Sequence, residues 1–230
     1  MKDFLTEQNL RRAVIHSLVV TAMAAPRLAE AELPMAFPWL LLFTFAAMTA
    51  VAGAAWAWQR KAGMAGMFPS RKAMITGMVW AAAAGAVIAG ILQATDPLLR
   101  EAILNRGDER LWQATFPSTA QESVSRMLWG AGVQTLFFTA AALGFFTRLV
   151  GGLRTAILFI VCLRALVTLH KFANAGLNEV ILPYVALAVL NGTISCLLYA
   201  RSGLPAAMTF SATVDLRHFL NIEIARSFPS

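Results

Sequence analysis

Residues 39–58 form a run of twenty residues without a charge, about the length a helix needs to cross the hydrocarbon of a bilayer. Trp56, Trp58, Gln59, Arg60 and Lys61 close it, an aromatic belt followed by basic anchors of the kind that mark a membrane interface. Five more apolar stretches follow, at about 74–93, 124–146, 155–169, 180–199 and 204–220. Only 13% of the chain is charged, against roughly 25% in soluble domains, so its solvent is lipid. The net charge of +7 does not point to nucleic acid. Its Lys and Arg sit in the connectors between apolar runs, and no basic face with interleaved aromatics is present.

The expected fold is therefore all-α, a polytopic bundle of about six transmembrane helices. An N-terminal surface helix and its lead-in occupy 1–36 and the bundle 37–230, as one domain. The stretch Arg11-Arg12 followed by 13–25 has the look of a signal peptide, but as an uncleaved segment of about thirteen residues it is short for a span and reads as an amphipathic helix on the membrane surface. Between 81 and 90 the second run is almost all Ala and Gly, which lets a neighbouring helix approach closely. The one long connector, 94–120, carries acids and bases together; it is expected to hold a short interfacial helix at 98–105 and a turn at Arg106-Gly107-Asp108.

Arg60, Lys61, Arg71 and Lys72 crowd the first connector, Arg148 and Arg154 flank the third, and Arg201 the fifth. Positive charge inside places those three connectors in the cytoplasm and the second and fourth outside. The expected location is a multi-pass protein of the bacterial plasma membrane, with the lipid bilayer as its first partner. Cys162 and Cys196 lie in apolar runs and read as buried thiols. With no Cys-x-x-Cys or paired-His spacing, no metal and no cofactor are expected.

Polar groups at membrane depth carry the functional argument. Asp215 lies inside the last apolar run, where a carboxylate is costly and should face protein and find a partner. Ser211 precedes it by one turn on the same face, with His218 one turn beyond. Glu122 and Arg126, four apart at the start of the third run, are placed to pair. His170 closes the fourth run at the same depth, with Asn174 one turn on, and Asn191 lies midway along the fifth. Arg164 has two readings, snorkelling or pairing with Asp215, between which the sequence does not choose.

In order, Gln121-Glu122-x-x-x-Arg126, Leu166-x-x-x-His170 and Ser211-x-x-x-Asp215 resemble the three motifs of the CPBP family, the CAAX-processing and Abi intramembrane proteases. Those motifs are Glu-Glu-x-x-x-Arg, Phe-x-x-x-His and His-x-x-x-Asn/Asp. The stretch Tyr199-Ala200-Arg201-Ser202-Gly203-Leu204, then Ala206-Ala207-Met208, is similar to the family's Tyr-x-Arg-x-Gly-Leu turn and Ala-Ala-Met helix start. The resemblance covers about 119–220. It implies one intramembrane pocket holding Glu122, Arg126, His170, Ser211 and Asp215, with a glutamate base activating water and the third motif holding an oxyanion.

Two departures change what that implies. Gln121 stands where the base belongs, and Gln cannot accept a proton; Ser211 stands where the third-motif His belongs. The expected function is a degenerate protease site that binds or regulates another membrane protein or a lipidated peptide. The alternatives are an active CAAX-type endopeptidase using Glu122 and His170, and a small-molecule or proton transporter, against which stands the lack of inverted repeats.

Overall fold

The computed structural model describes residues 7–30, 35–62, 64 and 69–222. Among them regular structure is helical, with no strand. Helix α1 is Glu7–Glu30, α2 Phe37–Ala62 and α3 Arg71–Leu104; a short α4, Glu109–Thr115, precedes α5, Ala120–Val150. Helix α6 is Leu153–Asn174. The stretch Ile181–Asp215 is helical except at Gly203, whose φ of 79° and ψ of −175° divide it into α7 (181–202) and α8 (204–215). A short α9, Arg217–Leu220, follows.

Gly203 is a reversal rather than a bend. Tyr184, near the start of α7, donates to Asp96 of α3 at 3.2 Å, and Arg217, just past α8, donates to the same carboxylate at 2.6 and 2.7 Å. An unbroken helix would hold Tyr184 and Arg217 about 50 Å apart at 1.5 Å per residue. At the opposite end Ser202 and Ala206, on either side of the break, both pack on Gly77 of α3. Helices α7 and α8 are thus antiparallel arms lying along α3, and the positive φ of the turn is one that glycine adopts without steric cost. Thr213 and the Phe210 carbonyl lie over Gly85, so the small-residue stretch does admit a close neighbour.

Among the described residues, five helical stretches are long and apolar enough to cross a membrane. The last, Asn178–Leu220, traverses the bundle twice because of the Gly203 turn, which yields the six expected crossings. The chain is a multi-pass membrane helix bundle. Its ends sort as the charge pattern requires. Trp58 and Phe145 pack with ring centroids 5.5 Å apart and Gly77 meets Ser202, which gathers the first, third and fifth connectors at one end. Arg106 donates to the Gly176 carbonyl at 2.5 Å, joining the second and fourth at the other.

Three sequence expectations change. The interfacial helix at 98–105 is not separate: α3 runs on through Pro97 to Leu104, because Leu92, Leu99 and Ile103 keep one buried face in register. The Arg106-Gly107-Asp108 turn is present, with Gly107 at φ 63°, and Asp108 caps α4 by accepting from the Leu111 amide at 2.9 Å. Cys196 is buried as expected, whereas Cys162 is exposed on the outer face of α6.

The third change is at the N-terminus. Helix α1 does not lie across the end of the bundle but stands along α2 over its length. Trp56, late in α2, donates to Asn9 at 2.6 Å, while Ser125, early in α5, donates to Glu30 at 2.9 Å. Its buried face is small and polar, with Asn9, Ala13, Ser17 and Thr21, and its exposed face is apolar, with Leu10, Val14, Leu18 and Val19. That inverted amphipathicity suits lipid outside and protein inside: Asn9 bonds Trp56 of α2, Ser17 donates to the Ala13 carbonyl of its own helix at 2.6 Å, and the small side chains let the helices approach.

Asp96 is fully buried, and its ion pair with Arg217 joins α3 to the end of α8. Arg217→Leu alone is expected to destabilise the protein by about 3–5 kcal/mol, since it leaves a buried carboxylate without its counter-charge, and Asp96→Leu added to it should recover most of that loss. Denaturation of the two single variants and the double variant in micelles checks this; additive losses would refute it.

Candidate functional site

Helix α5 supplies one wall of the site by leaving α-helical geometry. Gly130–Gln134 and Leu136–Ala141 are π-helical. In an α-helix, side chains four apart drift by about 40° around the axis, so a stripe wanders off its face within a few turns. The wider π turn takes up that drift. Gly130, Gln134, Phe138, Ala142 and Phe146, each four apart, all face one cavity as a result. The remodelled backbone also offers a carbonyl to a neighbouring helix: Arg164 of α6 donates to the Phe138 oxygen at 3.2 Å and to Thr139 Oγ1 at 2.8 Å.

The cavity has two lobes. The first, about 380 Å³, lies between α5, α6, α7 and α8; the second, about 590 Å³, extends towards the end of the bundle that carries α4. Gly130, Gln134, Thr168, Asn191 and Asp215 line both lobes. Asp215 therefore sits at their junction. Its Oδ2 lies so close to Gly130 that a Cβ at that position would be 2.6 Å away, so the lack of a side chain there makes room for the carboxylate.

Arg164, one candidate cation for Asp215, and Arg126, a second on the cavity wall, are both occupied elsewhere. Asp215 forms no hydrogen bond or ion pair with a described residue. Arg126 pairs with Glu122 and donates to the carbonyls of Gln113, Ala114 and Thr115, where it closes the C-terminus of α4. Arg164 is held by the oxygens of α5. Both arginines prefer fixed acceptors on their own level of the bundle, and Asp215 is left facing the cavity. The intramembrane acid that does find a cation is Asp96, whose position in the sequence is that of the first charge of the long connector.

Of the six residues expected at the site, the structure brings three together. Arg126, Ser211 and Asp215 line the cavity. Gln121 is exposed at the start of α5. Glu122 belongs to a helix cap: its amide donates to Thr119 Oγ1 at 3.1 Å, and its carboxylate accepts from the Ser118 amide at 2.9 Å and pairs with Arg126. Thr119-x-x-Glu122 is a capping-box pattern, a signal readable in the sequence. His170 is exposed, with its Nε2 2.9 Å from the Asn174 amide nitrogen, and lines neither lobe. Thr168 and the exposed Lys171, on either side of it, line the cavity instead.

The cavity does contain a histidine, His218, on the wall of the second lobe. It cannot serve Ser211 as a base, because seven residues separate them, about 10 Å along a helix. No group of three His, Cys, Asp or Glu side chains suited to a metal occurs among the described residues. What the arrangement offers chemically is a polar, partly charged recess that opens between helices. No known protein family, curated protein or solved structure matches the chain.

The two charged positions on the cavity wall should respond differently to mutation. Asp215→Asn is expected to leave the melting temperature unchanged or raised, because it removes a buried charge that has no ion-pair partner and strands none. Arg126→Met should cost about 3 kcal/mol, since it uncovers the α4 carbonyls and leaves Glu122 without its cation. Thermal melting of both variants tests this, and a large loss from Asp215→Asn would mean that the carboxylate is paired.

Proposed function

We propose that this chain is a non-hydrolytic intramembrane binding protein of CPBP-like design, whose cavity takes the polar end of an amphipathic membrane ligand. The observation that carries the reading is the distribution of the acids and histidines. Asp215 opens into the cavity, while Glu122 is committed to a cap and His170 to the outer face. A general base contributes about 10²–10⁴-fold to such a reaction, and it must lie within hydrogen-bond reach of the water that it activates. A cavity that holds Asp215 and His218 but neither Glu122 nor His170 has the means to bind and lacks the glutamate–histidine pair that cleavage of this type would use.

Two further features support binding. Small and polar side chains at the junction (Gly130, Gln134, Thr168, Asn191) leave room and hydrogen-bonding capacity for a ligand, and apolar walls in the first lobe accommodate a chain. The Gly203 hairpin and the Arg126 and Asp215 positions support the CPBP-like arrangement within which we place it. On this reading the protein works in the bacterial plasma membrane, with the second lobe directed away from the cytoplasm.

Purified protein is expected to cleave neither lipidated nor transmembrane peptides above the level of Glu122→Gln and His170→Ala. Reinstating the family residues with Gln121→Glu and Ser211→His should leave it inactive, because position 121 faces outward. Wild-type cleavage that disappears in Glu122→Gln would replace this reading with that of an active endopeptidase. Ligand extracted from the protein and identified by mass spectrometry, lost on filling the junction with Gly130→Leu, tests the binding role.

A further inference from the structure

Arg164 and Asp215 are the two charged side chains on the wall of the first lobe, and they have opposite signs. They lie beyond ion-pair distance from each other, and neither forms an ion pair among the described residues; Arg126 and Arg217 act on Asp215 only from farther away. Arg164 has only the neutral Phe138 and Thr139 oxygens, which leave guanidinium donors unused. A cation and an anion without ion-pair partners, held apart in one intramembrane recess, are each costly, and a ligand that carries both complementary charges would lower both costs.

We infer, resting on the binding role proposed above, that the ligand of this cavity is a phospholipid with a phosphoethanolamine head. Its primary ammonium meets Asp215, and its phosphodiester meets the guanidinium of Arg164, a fork suited to phosphate oxygens. The ammonium has three donors. Gln134, Asn191 and Ser211 stand on the same wall as Asp215 and supply acceptors for those that the carboxylate does not take. A quaternary choline head has no such donors. An anionic glycerol head satisfies Arg164 but leaves Asp215 facing negative charge.

The chains have an exit. Phe138, Leu163 and Val167 line this lobe and are also 58%, 47% and 60% exposed on the outside of the bundle, so the recess opens sideways between α5 and α6 into the surrounding acyl chains. Head and tail therefore follow the order of the wall: carboxylate at the junction, guanidinium next, apolar side chains at the opening.

The test uses the full chain in nanodiscs holding equal amounts of phosphatidylethanolamine, phosphatidylcholine and phosphatidylglycerol with identical acyl chains, followed by native mass spectrometry of the lipid retained. Phosphatidylethanolamine should be held at least about tenfold over either competitor, the discrimination expected of a charge-assisted hydrogen bond. Asp215→Asn should reduce the preference over choline to about twofold or less, and Arg164→Gln should weaken retention of all three lipids about tenfold. Cys162→Ser, on the exposed face of α6, should change nothing. Soluble glycerophosphoethanolamine should displace the lipid from the wild type, a measurement that needs no variant to fold. Equal or better retention of phosphatidylglycerol, or a preference that survives Asp215→Asn, overturns the inference. Lipid retained without regard to head sinks this assignment alone, while no retained amphiphile of any kind sinks the binding role with it.

Discussion

The Asp96 carboxylate is the interaction on which the arrangement of the last three spans depends. It has no exposed surface, and a buried charge in a bilayer-sized bundle persists only when it is fully satisfied. Arg217 grips it with two contacts, Tyr184 donates to it, and the Asn221 amide donates at 2.9 Å. Asn221 in turn accepts from Gln93 at 2.8 Å and Arg100 at 2.7 Å, both on α3. These bonds bring the beginning of α7 and the end of α8 to one level of α3, with Gly203 free to make the reversal at the far end. Asp215 lies two residues before Arg217, so the same bonds deliver it to Gly130 and the cavity.

Two intramembrane acids thus have opposite roles. Asp96 is surrounded by donors on three sides and contributes to the fold; Asp215 has none among the described residues and contributes an unsatisfied acceptor to a recess. The difference comes from what the neighbouring helices supply. Around Asp96 the polar groups of α3, α7 and α9 converge. Around Asp215, α5 presents a glycine, and both candidate cations are drawn away by backbone carbonyls, Arg126 by those of α4 and Arg164 by that of Phe138.

Depth along the membrane normal was readable from the sequence, and direction around each helix axis was not. Apolar length placed the six crossings from α2 onward, while α1, read as a surface helix, was missed; basic residues sorted the connectors into the two ends seen in the bundle. The turn at Gly203 was legible from its flanking residues. His170 shows the limit. It stands at the expected depth, but one residue is about 100° of rotation, and in a run apolar on every side no period marks which face is inward. Thr168 and Lys171 line the cavity instead. The π segments of α5 carry no sequence signature that we recognise, yet they decide that Phe138 and Phe146 share a wall with Gly130. Glu122 was misread because its nearest role is local: Thr119-x-x-Glu122 caps the helix before any pocket can use the carboxylate. Asp96 was overlooked because it follows Thr95 at the end of an apolar run and resembles the first charge of a loop.

The inverted amphipathicity of α1 has a consequence for how the protein is made. A helix with Asn9, Arg12, His16 and Ser17 along one side is too polar to partition into a membrane as a solitary segment. Its acceptable environment exists only once α2 is present, because Trp56 donates to Asn9 and the Arg12 guanidinium rests 4.8 Å from the Trp56 ring centre. Helix α1 must therefore wait for α2, and its insertion is a paired event, in which the second helix carries the first across the interface as a hairpin.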